Sequence, residues 1–262
     1  FLATFRFSAE DLAYLETTRL FRPDFLEYLG RLRFTGEVWA LPEGSIFFKD
    51  EPILEVTAPI IEAQLVETFL VNAISLQTLI ASKAARATAV AGPRRLVDFS
   101  LRRTHGTDAG LKVARATYLA GFIGTSNVLA GKLYGLPIFG TMAHSYITSF
   151  SSEIEAFRAF ARTFPEKTVL LIDTYDTVAG ARKAIQVARE MAARGQHLQG
   201  VRLDSGDMAA LSIEVKQLLR EAGLDQVTIF ASGGFDEYKI AKVLKAGGQI
   251  DAFGVGTKVG VS

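Results

Sequence analysis

Two pairs of aspartates, three arginines, one histidine and two glycine-rich turns are the residues of this chain best suited to chemistry. Asp173 and Asp176 frame the motif DTYD, and Asp204 and Asp207 frame DSGD. Paired carboxylates of this kind can hold Mg2+ beside a diphosphate, bind ribose hydroxyls or stabilise a developing positive charge. One member of each pair could instead cap the following helix, the reading preferred for Asp207. An unpaired guanidinium is costly away from water, so Arg102, Arg103 and Arg202 should each meet a carboxylate, a phosphate or solvent. Arg102 and Arg202 are assigned to a ligand. Arg103 is assigned to an internal salt bridge, with Asp98, Asp108 and Asp204 as the available acids.

His144 follows the run Pro137–Thr141 and precedes Ser145. That position suits a nucleophile or an acid/base group, the alternative being a satisfied core histidine. His105, in an arginine-rich turn, reads as structural, and His197, in a polar connection, as inert. Ser232-Gly233-Gly234 and Gly254-Val255-Gly256-Thr257 let backbone N–H groups approach phosphate oxygens, and together they suggest a phosphate cradle. Either turn alone could be no more than a tight connection.

Each group sits where a short apolar run stops. Such runs cover residues 96–101, 121–124, 137–140, 168–173, 199–203, 227–231 and 250–253, with amphipathic segments such as Val178–Ala193, Ala209–Ala222 and Glu237–Ala246 between them. Strand, polar turn and helix in repetition mark a parallel α/β protein, and an irregular (β/α) barrel gathers functional groups at the carboxyl ends of its strands. A doubly wound open sheet would show similar alternation.

The chain of 262 residues, 49% hydrophobic and 22% charged, can fill one barrel and a small companion domain. With a formal net charge of +1 it has no global field to recruit nucleic acid or an anionic membrane. The absence of cysteine excludes disulfides, thiolate metal sites and a cysteine nucleophile. No apolar run is expected to reach the length of a membrane span, and FLATFRFSAEDL lacks the layout of a signal peptide, so a cytoplasmic location is expected. A chain that opens at Phe1 and stops at Ser262, just past GVGT, is expected to have lost native sequence at both ends.

Earlier in the chain, Ser8 with Glu10 and Asp11 marks a helix start, and Pro23 opens a second helix. Residues 34–56 change period, predicting two or three antiparallel strands. Residues 60–90 are helix formers closed by Gly92-Pro93; because apolar residues occupy more than one face of the first half, burial between the small sheet and the barrel, or in a subunit interface, is expected. The organisation expected is therefore a partial N-terminal α/β sandwich domain with its linking helix over 1–92, and a barrel over 93–262.

Taken together, DFSLRR, GFIGTSNVLAGKLYGLPIFGTMAHS, LIDTYDT, GVRLDSGD, ASGGFDE and DAFGVGT closely resemble the nicotinate phosphoribosyltransferases, in order and spacing. The resemblance implies a type II phosphoribosyltransferase, an irregular α/β barrel packed with a small α/β sandwich, dimeric with shared active sites. The implied reaction joins nicotinate to 5-phosphoribosyl diphosphate, coupled to ATP hydrolysis through a phosphohistidine at His144 and assisted by Mg2+. It further implies that Phe99 stacks on the pyridine ring, that Arg102, Arg202, Thr141 and Ser145 meet the carboxylate, and that Asp173 and Asp204 serve the ribose cation or its metal. Ser232, Gly233, Gly234, Gly254, Gly256 and Thr257 would hold the 5-phosphate. Nicotinamide-using relatives carry an aspartate in place of Ser126, so serine implies an acid substrate. Quinolinate phosphoribosyltransferases share the architecture, but the several basic residues they use have no match here. An aromatic residue that the family's N-terminal segment contributes to the neighbouring subunit's site also has no counterpart.

Overall fold

The computed structural model describes residues 1–261, which divide into a compact unit over Phe1–Leu76 and a second beginning at Gln77. The first unit holds helices α1 (Ala9–Thr18) and α2 (Pro23–Arg31), strands β1 (Glu37–Ala40) and β2 (Leu54–Thr57), and the start of α3 (Ile60–Ala91). The N-terminus of α1 is fixed by a capping box, Asp11 N–H donating to Ser8 Oγ (3.1 Å) and Ser8 N–H to the Asp11 carboxylate (2.7 Å). β1 and β2 pair antiparallel from Glu37 opposite Thr57 to Ala40 opposite Leu54. The division between units falls inside α3.

α3 corrects one expectation. Ile60, Phe69, Val71 and Leu79 are exposed on it in the single chain. At 1.5 Å per residue α3 is about 48 Å long, more than the core of one small domain can cover. By length and composition alone it would also suffice to cross a bilayer, contrary to the reading that no apolar run reaches that length. Two of its cations, Lys83 and Arg86, instead bind the buried Glu237 (2.8 and 3.1 Å), as on a helix packed against protein.

The second unit continues with β3 (Arg95–Asp98), α4 (Thr107–Leu119), β4 (Gly124–Thr125), α5 (Val128–Tyr134), α6 (His144–Thr148), α7 (Glu153–Thr163) and β5 (Val169–Leu171). After these come α8 (Thr177–Ala192), β6 (Gly200–Leu203), α9 (Met208–Glu221), β7 (Thr228–Ala231), α10 (Glu237–Lys245), β8 (Ala252–Val255) and α11 (Thr257–Gly260). Strands β3 to β8 form one parallel sheet in the order β4-β3-β8-β7-β6-β5. Apart from β4 and β5, sequential strands are neighbours, and the first of the unit, β3, pairs with the last, β8. That is the winding of a barrel, because a doubly wound sheet reverses direction at a switch point. Among the described residues β4 and β5 do not pair, so the ring is not closed.

Residues 137–140, read as a strand, make only a single bridge, Ile138 to Thr125, with Thr125 N–H donating to Pro137 O (3.1 Å) and Phe139 N–H to Thr125 O (2.9 Å). The core is made by strand side chains such as Leu96, Val97, Leu170, Leu171, Val201, Leu203, Ile229 and Phe253, all buried. Parallel strands covered on both faces require such continuous apolar runs.

Candidate functional site

The carboxyl ends of β5, β6 and β7 bring together most of the polar residues singled out from the sequence. Arg202 and Asp204 are two apart on β6 and its continuation, so they project to the same side. Arg202 Nη2 donates to Asp204 Oδ1 (2.7 Å), Nε to Ser232 Oγ (2.7 Å), and Nη1 to Thr141 Oγ1 (2.6 Å) and to Met142 O (3.3 Å). The internal bridge assigned to Arg103 is therefore formed by Arg202; Arg103 is exposed and has no ion pair among the described residues. The reason is directional: Arg103 sits on a short 3-10 turn, Leu101–Arg103, which turns it to solvent.

Asp204 is half-buried. Burial pushes its carboxyl up, but the hydrogen bond from Ser232 and the Arg202 guanidinium outweigh this and hold it below the ordinary carboxylate value. Its Oδ2 lies 3.6 Å from His144 Nε2, and the other ring nitrogen, Nδ1, is 3.1 Å from Thr174 Oγ1. His144 opens α6 and is 42% exposed, so its ring is held by two neighbours while still reachable from solvent.

Asp173 is buried at the end of β5, where its Oδ2 accepts from the Asp204 N–H (2.8 Å) and from Ser205 Oγ (2.6 Å). Its Oδ1 is buried with no hydrogen-bond partner, an arrangement that costs free energy unless a cation or water completes it. The other member of each aspartate pair caps a helix: Asp176 accepts from Ala179 N–H (2.7 Å) and Asp207 from Ala209 and Ala210 N–H (3.1 and 3.2 Å).

Phe99, just beyond β3, leans on Phe230 (ring centroids 5.5 Å apart), and the Arg202 guanidinium carbon lies 5.7 Å from its ring centre. Gly254 makes this possible, since a Cβ there would come within 2.7 Å of the Phe99 ring. Gly254 thus sits inside β8 beneath the aromatic ring, while Gly256 and the exposed Thr257 lie at the start of α11. In the other turn, Gly233 has φ +99° and a Cβ would meet Asp204 O at 2.0 Å, so this position admits only glycine. Gly234, exposed, follows with φ +70°. Ser232 is buried and joins the Arg202–Asp204 cluster.

Arg102 and Ser145 are exposed and make no side-chain hydrogen bond to the cluster. Thr174 and Ser205 join the site beyond the residues singled out from the sequence, and Asp98, offered as an acid for Arg103, is bound instead by Ser100 and Thr125. Thr174 and Ser205 directly follow the two aspartates that matter, which was the available signal. No group of three or more metal-ligating side chains gathers among the described residues.

Residues 1–75 match the nicotinate phosphoribosyltransferase (NAPRTase) N-terminal domain, and residues 94–260 match the nicotinate phosphoribosyltransferase (NAPRTase) family. Over 262 residues the chain is 54% identical to a nicotinate phosphoribosyltransferase of Mycobacterium tuberculosis, covering 100% of this chain and 56% of that protein. It is 44% identical to the nicotinate phosphoribosyltransferase of Bacillus subtilis, covering 99% of this chain and 53% of that one. The crystal structure of human nicotinic acid phosphoribosyltransferase superposes with a TM-score of 0.89 at 33% identity, covering 97% of this chain and 63% of that one. The chain thus spans about half the length of the curated relatives it matches.

Proposed function

The chain belongs to the nicotinate phosphoribosyltransferase family, and from that premise we propose that it joins nicotinate to 5-phosphoribosyl diphosphate, releasing nicotinate mononucleotide and diphosphate in the salvage route to NAD. The observation that carries the reading is the guanidinium of Arg202, held against the face of Phe99 and bonded to Thr141, Ser232 and Asp204. A flat aromatic face beside a fixed cation suits a planar heteroaromatic acid. The substrate carboxylate joins the Thr141 hydroxyl and Arg202 Nη1, leaving the Arg202–Asp204 pair intact.

In the reaction the pyridine nitrogen forms a bond to the anomeric carbon as the carbon–oxygen bond to diphosphate breaks, the electron pair leaving with the diphosphate. Positive charge builds on the ribose, and Asp204, held ionised by Arg202 and Ser232, stabilises it. The turn at Gly233-Gly234 offers backbone N–H groups to the 5-phosphate, with Gly256 and Thr257 as its partner turn. Mg2+ fits the chemistry of the acids: Asp173, with one buried oxygen unsatisfied, and Asp204 would hold it, and it would neutralise the leaving diphosphate.

Coupling to ATP through phosphorylation of His144 is the finer part of the proposal. It is supported by the GTMAHS motif and by an imidazole fixed by Thr174 and Asp204 yet open to solvent. A cytoplasmic homodimer with shared sites completes the reading, on the family resemblance. Incubating the full-length protein with nicotinate, phosphoribosyl diphosphate and Mg2+, with and without ATP, tests it. Nicotinate mononucleotide should form, ATP should stimulate it, and His144→Ala should abolish the stimulation while retaining uncoupled synthesis. Absence of product would leave a nucleotide-binding relative without this activity.

A further inference from the structure

On the opposite side of the sheet's carboxyl end, Asp98 is fully buried with no cation partner among the described residues. A bare carboxylate sealed from water costs several kcal/mol unless its oxygens are well satisfied. Both are. Oδ1 accepts from the Ser100 N–H (2.8 Å), which bends the chain immediately around Phe99, and Oδ2 accepts from Thr125 Oγ1 (2.7 Å) at the end of β4. The backbone of the same residue adds a third tie, Ser126 N–H donating to Asp98 O (2.8 Å).

The fixation spreads outward from there. Thr125 Oγ1 accepts from the Asn127 N–H (3.0 Å), and Asn127 Oδ1 caps α5 through the Ala130 N–H (3.1 Å). On the other side Phe99 N–H donates to Val255 O (2.8 Å). One residue thus fastens together the turn that carries Phe99 and the turn that carries Ser126, both half-buried. A hydrophobic residue could fill the same space, but it could accept neither hydrogen bond.

We propose that Asp98 is a positioning residue for the base subsite, setting the separation and tilt of the Phe99 ring relative to the Thr125-Ser126-Asn127 turn. It touches no substrate. Its effect falls on the pyridine base more than on the phosphoribosyl half, whose acids and Gly233-Gly234 turn follow β5, β6 and β7; of that half only the Gly256-Thr257 turn, after β8, lies beside Phe99. The inference rests on the nicotinate reading above, and it adds a specificity role to a residue outside the polar cluster.

The test uses steady-state kinetics and calorimetric nicotinate binding on the full-length protein and on Asp98→Asn, Thr125→Val and Thr125→Ser. Asp98→Asn and Thr125→Val should raise the KM and Kd for nicotinate about tenfold, leave the KM for phosphoribosyl diphosphate within about twofold, and lower kcat less than they raise KM. Thr125→Ser, which keeps the hydroxyl, should restore nicotinate affinity, and Asp98→Asn with Thr125→Val should cost little more than either alone. If Asp98→Asn does not fold, the Thr125 pair decides. Equal losses for both substrates, unchanged nicotinate affinity in Thr125→Val, or failure of Thr125→Ser to rescue would overturn the inference. An inactive parent protein that also fails to bind nicotinate would instead overturn the reading beneath it.

Discussion

Asp204, at the end of β6, and Asp98, at the end of β3, each brace a strand-end turn, but in opposite electrostatic settings. Asp204 is half-exposed, paired with Arg202 at 2.7 Å and held below its ordinary pKa. Asp98 has no cation beside it among the described residues; burial pushes its carboxyl up against the hydrogen bonds from Ser100 and Thr125 that pull it down. The contrast separates two uses of one side chain. A carboxylate that must meet charge in a reaction is kept ionised and reachable, whereas one that fixes geometry can be sealed, provided both oxygens are satisfied.

The sharpest way to break this contrast is Asp204→Asn, which removes the charge but keeps the shape. Phosphoribosyl transfer should fall on the order of 10²-fold in kcat/KM in a product assay, the scale at which one preorganised electrostatic partner contributes. A drop no larger than that of Asp98→Asn would erase the distinction. Arg202→Lys keeps the charge but loses the planar fork that reaches Asp204, Ser232 and Thr141 at once, so nicotinate KM should rise on the order of tenfold or more. Gly233→Ala places a methyl against Asp204 O in a left-handed backbone, and thermal unfolding should show a loss of about 1–3 kcal/mol.

The smallest effect is the most specific. Asp98, with its folded pKa raised above the ordinary 3.8, contributes stability that is fully present below that value and lost as pH rises through the folded pKa. Asp204, with its folded pKa lowered, contributes stability present above 3.8 and lost as pH falls through the folded value. Urea unfolding across acid pH should therefore show Asp98→Asn gaining on the parent protein as pH rises, and Asp204→Asn losing ground over the same rise. Parallel curves would contradict the two settings.

Much of this was legible in the chain because it rests on local periodicity. The helices expected at Val178–Ala193, Ala209–Ala222 and Glu237–Ala246 form over Thr177–Ala192, Met208–Glu221 and Glu237–Lys245, since each carries an apolar stripe and each begins behind an aspartate cap, Asp176, Asp207 and Asp236. What depends on partners far away in sequence was harder to read. Residues 137–140 look like a strand but gain only one bridge, because a strand exists only where a neighbour takes its hydrogen bonds. The pairing of Arg202 with Asp204 follows from the two-residue period of a strand, yet choosing it over Arg103 needed the 3-10 turn that sends Arg103 to solvent. Asp98 stood out only as an acid available to Arg103, because beyond Ser100 the groups it binds, Thr125 and Ser126, lie 27 and more residues away and neither is charged.

A crystal structure of the full-length protein with nicotinate mononucleotide tests the central claim most directly. The pyridine ring should lie on Phe99 with its carboxylate at Arg202 and Thr141, and the phosphate should rest against the backbone of Gly233 and Gly234. A nucleotide bound with Phe99, Arg202 and that glycine turn all untouched would contradict the account.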